Sequence, residues 1–277
     1  MAPRLLSESL PSLMGSLKGR FVNESQSASA LPLTPEREAA KQRERLESLK
    51  ASALNRLSEF AKCRTAMLAV PRAFQARARF DLLAKWLGRE GKKALEYCKA
   101  FADNPSMKGP MLMGKSGCGK THLLWATAKV IADRQKERVR NHQTTVENET
   151  IKAIEEDKQP PEYHWPPPMD LLVTDGAEIA HEIRESVRRS NLDDVVARYR
   201  QNRILGMGGD ALLFVDDVEV MKMGDWLHEE LYRIFNYRYR EGLTTVCVSN
   251  LAPEELKAHL GDRLTRRILD LTEPFEL

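Results

Sequence analysis

The sequence has little cysteine, and what it has is scattered. Cys63, Cys98, Cys118 and Cys247 form no CxxC pair, and the 6 histidines make no cluster at zinc-ligand spacing. Neither a disulfide framework nor a structural zinc site is expected, and a reducing cytoplasm fits best. No run of about 18 apolar residues occurs, so no membrane-spanning helix is expected. Neither sign of charge dominates: 43 Lys and Arg face 40 Asp and Glu, a net charge of +3. Such a balance does not by itself announce a nucleic-acid binder. Near the start, Leu5, Leu6, Leu10, Leu13, Met14 and Leu17 are interrupted by Glu8, Pro11 and Gly15, a poor fit to a secretory segment. The serines and arginines of an organelle transit peptide are present, but so are Glu8 and Glu24. No internal repeat is visible. What is there is a chain of 277 residues, 42% hydrophobic and 30% charged. That is too hydrophobic to be wholly disordered and long enough for one or two domains with a real core.

The chain divides into a loose front and a patterned back. Residues 1–33 are rich in Ser and Leu without sustained period and are expected to be poorly ordered. Thr34-Pro35 reads as an N-cap followed by proline at the first helical position, opening a helix over 35–62. Leu46, Leu49, Ala53, Leu57 and Phe60 put one apolar stripe on that charged helix. The stripe either packs on the helix's own domain or docks a partner. Residues 1–70 are therefore taken as an N-terminal extension and 71–277 as a core. Within the core, residues 94–102 look helical. Four apolar runs, at 110–113, 171–173, 211–215 and 244–248, read as buried parallel strands. Helical stretches near 120–140, 177–188, 226–241 and 253–268 alternate with them. This predicts an α/β fold with a central parallel sheet. A polar segment over 135–168 ends in Pro160, Pro161, Pro166, Pro167 and Pro168 and reads as an insertion in the first crossover.

One segment carries chemistry outright. Gly114-Lys115-Ser116-Gly117-Cys118-Gly119-Lys120-Thr121, with His122 following, fits G-x-x-x-x-G-K-[ST] without a mismatch. It follows a strand and opens a helix, as a phosphate loop must, which argues against an accidental glycine-rich turn. The glycines let backbone N–H groups face a phosphate, and the helix N-terminus adds its positive end. Lys120 is placed for β- and γ-phosphates and Thr121 for Mg²⁺. Cys118 is a loop filler, or a redox-sensitive thiol at a helix N-terminus. A strand ending in acids is the next expected part, and Leu212-Leu213-Phe214-Val215-Asp216-Asp217 supplies it. Asp216 would hold Mg²⁺ and Asp217 would polarise the attacking water, with Glu219 as a lesser substitute. Asn250, at the tip of the fourth strand, either touches the γ-phosphate and its water or caps the helix starting near Pro253. Arg263, Arg266 and Arg267 cluster near a helix end, as a solvated basic face or as a source of an arginine finger for a neighbouring subunit.

These parts in this order resemble an AAA+ ATPase, and more narrowly the DnaC-type helicase loaders and the similar IstB-type transposition ATPases. The resemblance rests on GKSGCGKTHLL, LLFVDD, LYRIFNYRYREG and TTVCVSNLAPEELKAHLGDRLTRRI, and covers roughly residues 72–277. It implies a five-stranded parallel sheet flanked by helices, closed by a last strand in LTEPFEL and lacking a C-terminal lid. It further implies ATP and Mg²⁺ as ligands, an acidic pair in Asp216 and Asp217, a sensor in Asn250, and a finger in Arg267 with Arg263 second. Hydrolysis would be slow alone and dependent on an ATP-driven homo-oligomer. The implied partners are a ring-shaped replicative helicase, gripped by the N-terminal extension through Leu46, Leu49, Leu57 and Phe60, and single-stranded DNA. A transposase is the alternative partner. Arg184, Arg188, Arg189, Arg198 and Arg200 are candidate DNA contacts or, with Glu182, Glu185, Asp193 and Asp194 among them, a solvated helix face, and Tyr199 is a stacking residue or a core residue. A small-molecule kinase would need a lid and an acceptor pocket. A GTPase is disfavoured because no N-K-x-D motif occurs. A binding switch with negligible hydrolysis stays open.

Overall fold

A computed structural model of the chain describes residues 35–64, 68–167, 169–201, 210–221 and 225–277. The segment 1–33, expected to be loose, lies outside the described residues. The chain divides into two compact units. One is Met1–Arg64 with Glu137–Pro166, the other Thr65–Lys136 with Pro167–Leu277.

In the first unit, α1 (Pro35–Arg64) starts at the expected proline. Glu36 and Glu38 sit in its first turn and Lys62 and Arg64 in its last, each sign matched to the helix dipole. The apolar stripe packs on its own chain: Ala53, Leu57 and Ala61 are buried, as are Val139 and Val146 in the same unit. Lys50 Nζ donates to Glu155 Oε1 at 2.9 Å, and the Phe60 ring stands edge-on to Trp165 at 5.3 Å. This corrects one expectation. Leu57 was a candidate partner contact, but it is 1% exposed and is held inside the unit. Leu46, Leu49 and Phe60 are only half-buried. The polar insertion also differs from a short helix tip. The helix that follows the phosphate loop, here α5, runs unbroken from Lys120 to Glu155. No proline or glycine interrupts those residues, and the first proline comes only at Pro160.

The second unit holds α2 (Arg72–Gln75), α3 (Phe80–Trp86), α4 (Arg89–Asp103), β1 (Gly109–Met113), the start of α5, β2 (Met169–Asp175), α6 (Gly176–Arg188), α7 (Leu192–Gln201), β3 (Asp210–Asp216), a 3₁₀ turn at Val218–Met221, α8 (Asp225–Arg240), β4 (Thr245–Ser249), α9 (Pro253–Leu260), α10 (Asp262–Leu271) and β5 (Thr272–Glu276). The five strands form one parallel sheet in the order β2-β3-β4-β1-β5. Side chains alternate between two cores. Leu112, Leu212, Phe214, Val246 and Val248 face Leu95, Phe101 and Leu123. Met111, Met113, Leu213, Val215 and Cys247 face Ile179, Ile183, Leu231, Phe235, Leu264 and Ile268. Burial on both faces explains why the strands read as continuous apolar runs. Gly109 lets β1 approach β4, since a Cβ there would lie 1.9 Å from the Thr245 carbonyl oxygen. The stretch 253–268, expected as one helix, is two. Gly261 adopts φ 80° between α9 and α10, a conformation that glycine reaches at little cost.

Candidate functional site

Strand order decides where the polar motifs meet. β4 lies between β1 and β3, so the segments leaving the C-terminal ends of all three converge. β1 leads into the phosphate loop, β3 into Asp216 and Asp217, and β4 into Asn250. Register keeps the ends level: Met113 pairs with Ser249 and Val215 with Cys247.

Three glycines make the loop possible. Gly114, Gly117 and Gly119 take φ values of 140°, 84° and 104°, a region closed to most L-residues. Gly119 is doubly constrained, because a Cβ there would meet the Trp86 ring at 2.8 Å. Lys115, Ser116 and Gly117 are exposed, whereas Lys120 at the start of α5 is 4% exposed. Its ammonium donates to the carbonyl oxygens of Gly114 at 2.7 Å and Lys115 at 2.9 Å. It also reaches Cys118 Sγ at 3.7 Å and Asn250 Oδ1 at 3.0 Å. Thr121 Oγ1 donates to Asp216 Oδ1 at 3.2 Å. These two oxygens suit a Mg²⁺ ion that keeps waters and takes its remaining ligands from phosphates. Among the described residues no group of three His, Cys, Asp or Glu is arranged as an all-protein metal cage.

Burial pushes the Asp216 carboxyl up to about 6, against the pull of the Thr121 hydroxyl. The Asp217 carboxyl is also raised, first by burial and then by the neighbouring Glu219, while Asn250 opposes both. Asp217 sits at φ 45°, strained for a residue with a side chain. Its carbonyl oxygen would lie 2.6 Å from a Cβ at position 176, where the chain has glycine.

Asn250 joins the two halves of the site. Its Oδ1 accepts from Lys120, and its Nδ2 donates to Asp217 Oδ1 at 3.1 Å and to Glu219 Oε1 at 2.6 Å. Its backbone N–H also donates to Glu219 Oε1, at 3.1 Å. The cap reading of Asn250 is thereby corrected: the N-cap of α9 is Ala252, whose N–H is satisfied by Glu255 Oε2 at 3.0 Å. Glu219 enters the site more firmly than its spacing suggested. The sequence signal was available, an acid three residues beyond the strand, but not the 3₁₀ turn that folds it back under Asn250.

No family model matches the chain. The replicative helicase loader DnaI of Bacillus subtilis (strain 168) is 22% identical over 195 residues, covering 66% of this chain and 50% of DnaI. The chromosomal replication initiator DnaA of Chloroflexus aggregans is 23% identical over 203 residues, covering 71% of this chain and 34% of that protein. The chain thus spans half the length of one relative and about a third of the other. Among solved structures, a DnaI structure superposes with a TM-score of 0.52 at 21% identity, covering 77% of this chain and 97% of that one. The DnaC helicase loader gives 0.51 at 18%, covering 75% and 99%. Domain III of Thermotoga maritima DnaA gives 0.54 at 18%, covering 75% and 69%. The fold is the parallel α/β fold of these DnaI, DnaC and DnaA structures.

Beside the glycine-rich loop, Phe74, His122 and Trp125 form an aromatic group, with His122 edge-on to Phe74 at 5.0 Å and Phe74 stacked on Trp125 at 5.9 Å. Burial lowers the His122 imidazole, with Arg77 adding to the shift. Leu87, Gly88, Gly117, Cys118 and the half-exposed Trp86 line an adjoining cleft. The arginines do not join the phosphate loop. Arg267 Nε donates to Asn236 Oδ1 at 3.0 Å on α8 and its Nη1 to Asp270 at 3.2 Å, with the guanidinium 4.6 Å over Tyr239. Arg263 lies 4.5 Å over the Tyr232 ring, and both arginines lower the Tyr232 hydroxyl through hydrogen bonds. Of the candidate DNA contacts, Arg198 forks onto Glu182 at 3.0 Å and Arg188 pairs with Glu185 at 2.6 Å. Tyr199 is 1% exposed and donates to Glu182 at 2.7 Å, so it is a core residue and not a stacking platform. Cys98 and Cys247 are free, buried thiols pushed up to about 12 by burial. No described helix is long and apolar enough to cross a membrane.

Proposed function

We propose that this chain is a replication ATPase that binds and hydrolyses ATP and loads a replicative helicase onto single-stranded DNA. The observation that carries the ATP site is the continuous contact chain from Lys120 through Asn250 to Asp217 and Glu219, alongside the Thr121–Asp216 pair. Residues 114–121 wrap the phosphates, and Lys120 exchanges its loop carbonyls for β- and γ-oxygens. Thr121 and Asp216 would hold Mg²⁺, which when bound neutralises phosphate charge. Asp217 orients the water that attacks the γ-phosphorus, its raised proton affinity suiting a base. Asn250 holds that water or a γ-oxygen. Arg267, with Arg263 second, is supplied to the site of a neighbouring copy, which makes turnover depend on assembly. The helicase role is supported by the likeness to DnaI and DnaC.

Two measurements test this reading. Lys120→Ala should weaken ATP binding about 100-fold in a fluorescent-nucleotide titration while the circular dichroism spectrum stays the same; unchanged binding removes the phosphate-site assignment. Size-exclusion with light scattering of the full chain, ATP and the host's replicative helicase should show a complex. Removing residues 1–70 would also uncover Val139 and Val146, so the sharper variant is Leu46→Arg with Leu49→Arg, which should lose the complex and keep the fold. No complex with the unaltered chain, together with ATP-dependent filaments on duplex DNA, would favour a transposition helper.

A further inference from the structure

Asn250 presents three polar atoms to three charged groups. A primary amide has one acceptor end and two donor hydrogens. Here the acceptor end faces the Lys120 ammonium and the donor end faces two carboxylates, Asp217 and Glu219. A reversed amide would set oxygen against both carboxylates and N–H groups against the ammonium. Its direction is therefore forced by its neighbours.

Of those neighbours, Glu219 is the rigid one. It is 9% exposed and lies on a short turn whose first and last residues, Val218 and Met221, are 0% and 1% exposed in the core. That turn packs against α6, β4 and α9. Glu219 also grips residue 250 twice through one oxygen, taking the backbone N–H and the side-chain Nδ2. Asp217 is less buried and sits on strained backbone. Lys120 has alternative partners in two loop carbonyls. The other oxygen of Glu219, Oε2, is buried with no hydrogen-bond partner among the described residues. A carboxylate half-satisfied in the interior is a poor structural bond, yet it is well suited to directing an amide.

We propose that Glu219 is a positioning residue of the ATP site: it fixes the rotamer and direction of Asn250, and through Asn250 sets Lys120 against Asp217. This rests on the ATPase reading above. Glu219 touches neither phosphate nor water in this role. Its Oε1 alone acts, as an acceptor, and glutamine at 219 would supply the same acceptor with a donor in place of the orphaned Oε2. Leucine would fill the space and supply neither.

The test compares Glu219→Leu with Glu219→Gln by two readouts. The first needs no turnover: the Asn250 side-chain amide signal in protein ¹⁵N-labelled at asparagine, assigned through Asn250→Ser. In the unaltered chain it should be exchange-protected and displaced from the other asparagines; Gln should keep it and Leu should lose it. The second is ATP hydrolysis. Leu should lower kcat by about 100-fold, the scale of a misplaced catalytic group, while the Kd for a fluorescent ATP analogue moves less than about threefold. Gln should stand at least tenfold above Leu in kcat. An Asn250 signal untouched by Leu overturns the proposal whether or not the chain hydrolyses ATP. A Gln variant as slow as Leu also overturns it, because the carboxylate charge and not the acceptor would then be what matters. If the unaltered chain shows no hydrolysis and Lys120→Ala leaves nucleotide binding unchanged, the ATPase reading fails, and the amide signal still decides the contact.

Discussion

The two ends of the sheet both bury charge, and they do it in opposite ways. At the C-terminal end, Lys120, Asp217 and Glu219 meet at one amide, and Asp216 takes the Thr121 hydroxyl beside them. Two of the carboxyls are raised, one backbone is strained, and one buried oxygen has no partner among the described residues. At the N-terminal end lies the buried cation Arg238, 0% exposed. Its guanidinium donates to Thr245 Oγ1 at 2.9 Å and to the carbonyls of Tyr199, Arg200, Ala211 and Thr244 at 2.6–3.1 Å. Burial pulls it down to about 9, still protonated at neutral pH. Its acceptors among the described residues are all neutral, and through them it sews the end of α7 and the starts of β3 and β4 together. A satisfied buried charge marks a structural joint, whereas a strained and half-satisfied cluster marks a place where something else is meant to bind.

That contrast can be broken by mutation. The largest effect is expected from Arg238→Met, which strands four carbonyls and a hydroxyl. It should cost about 3–5 kcal/mol of stability in urea unfolding. A loss below about 1 kcal/mol would mean the joint is ornamental. Arg267→Ala tests a third region, the face of α8 and α10. It should spare ATP binding and lower hydrolysis in assemblies by roughly tenfold or more. If Arg263→Ala, whose side chain is less restrained, lowers turnover as much, the assignment of the finger to Arg267 is wrong. The smallest effect is expected from Thr245→Val, which removes one acceptor from Arg238 and nothing from the site. It should cost about 1–2 kcal/mol and leave the Kd for ATP and kcat where they were. A change in kcat there would show that the two ends are coupled.

Much of the site was legible because its chemistry is local. A phosphate loop needs its glycines, Lys120 and Thr121 within eight residues, and the strand and helix that flank them have their own apolar signatures. The apolar run that ends at Asp216 and Asp217 is legible in the same way. Less legible was whatever depends on a non-local partner. The stripe on α1 was read as either core or docking face, and packing within its own unit decided for Leu57. Periodicity predicts a shorter helix than α5, because polar residues weaken the pattern although nothing in them breaks a helix. Tyr199 and Arg198 were offered to DNA because exposure cannot be read from residue type; Glu182, sixteen residues from Arg198, claims both.

Periodicity thus determined, from sequence alone, that the chain is a parallel α/β fold with a glycine-rich loop between β1 and α5. Each of those features follows from residues within one element and its turns. Tertiary structure decided the rest. Strand order brought Asn250 between Lys120 and Asp217, and a 3₁₀ turn swung Glu219 beneath it. Sheet packing drew Arg238 from an apparently basic helix end into the interior. The physical reason is the same in each case: hydrogen-bond partners and burial are set by distances between segments far apart in the chain, and only the folded sheet brings those segments together.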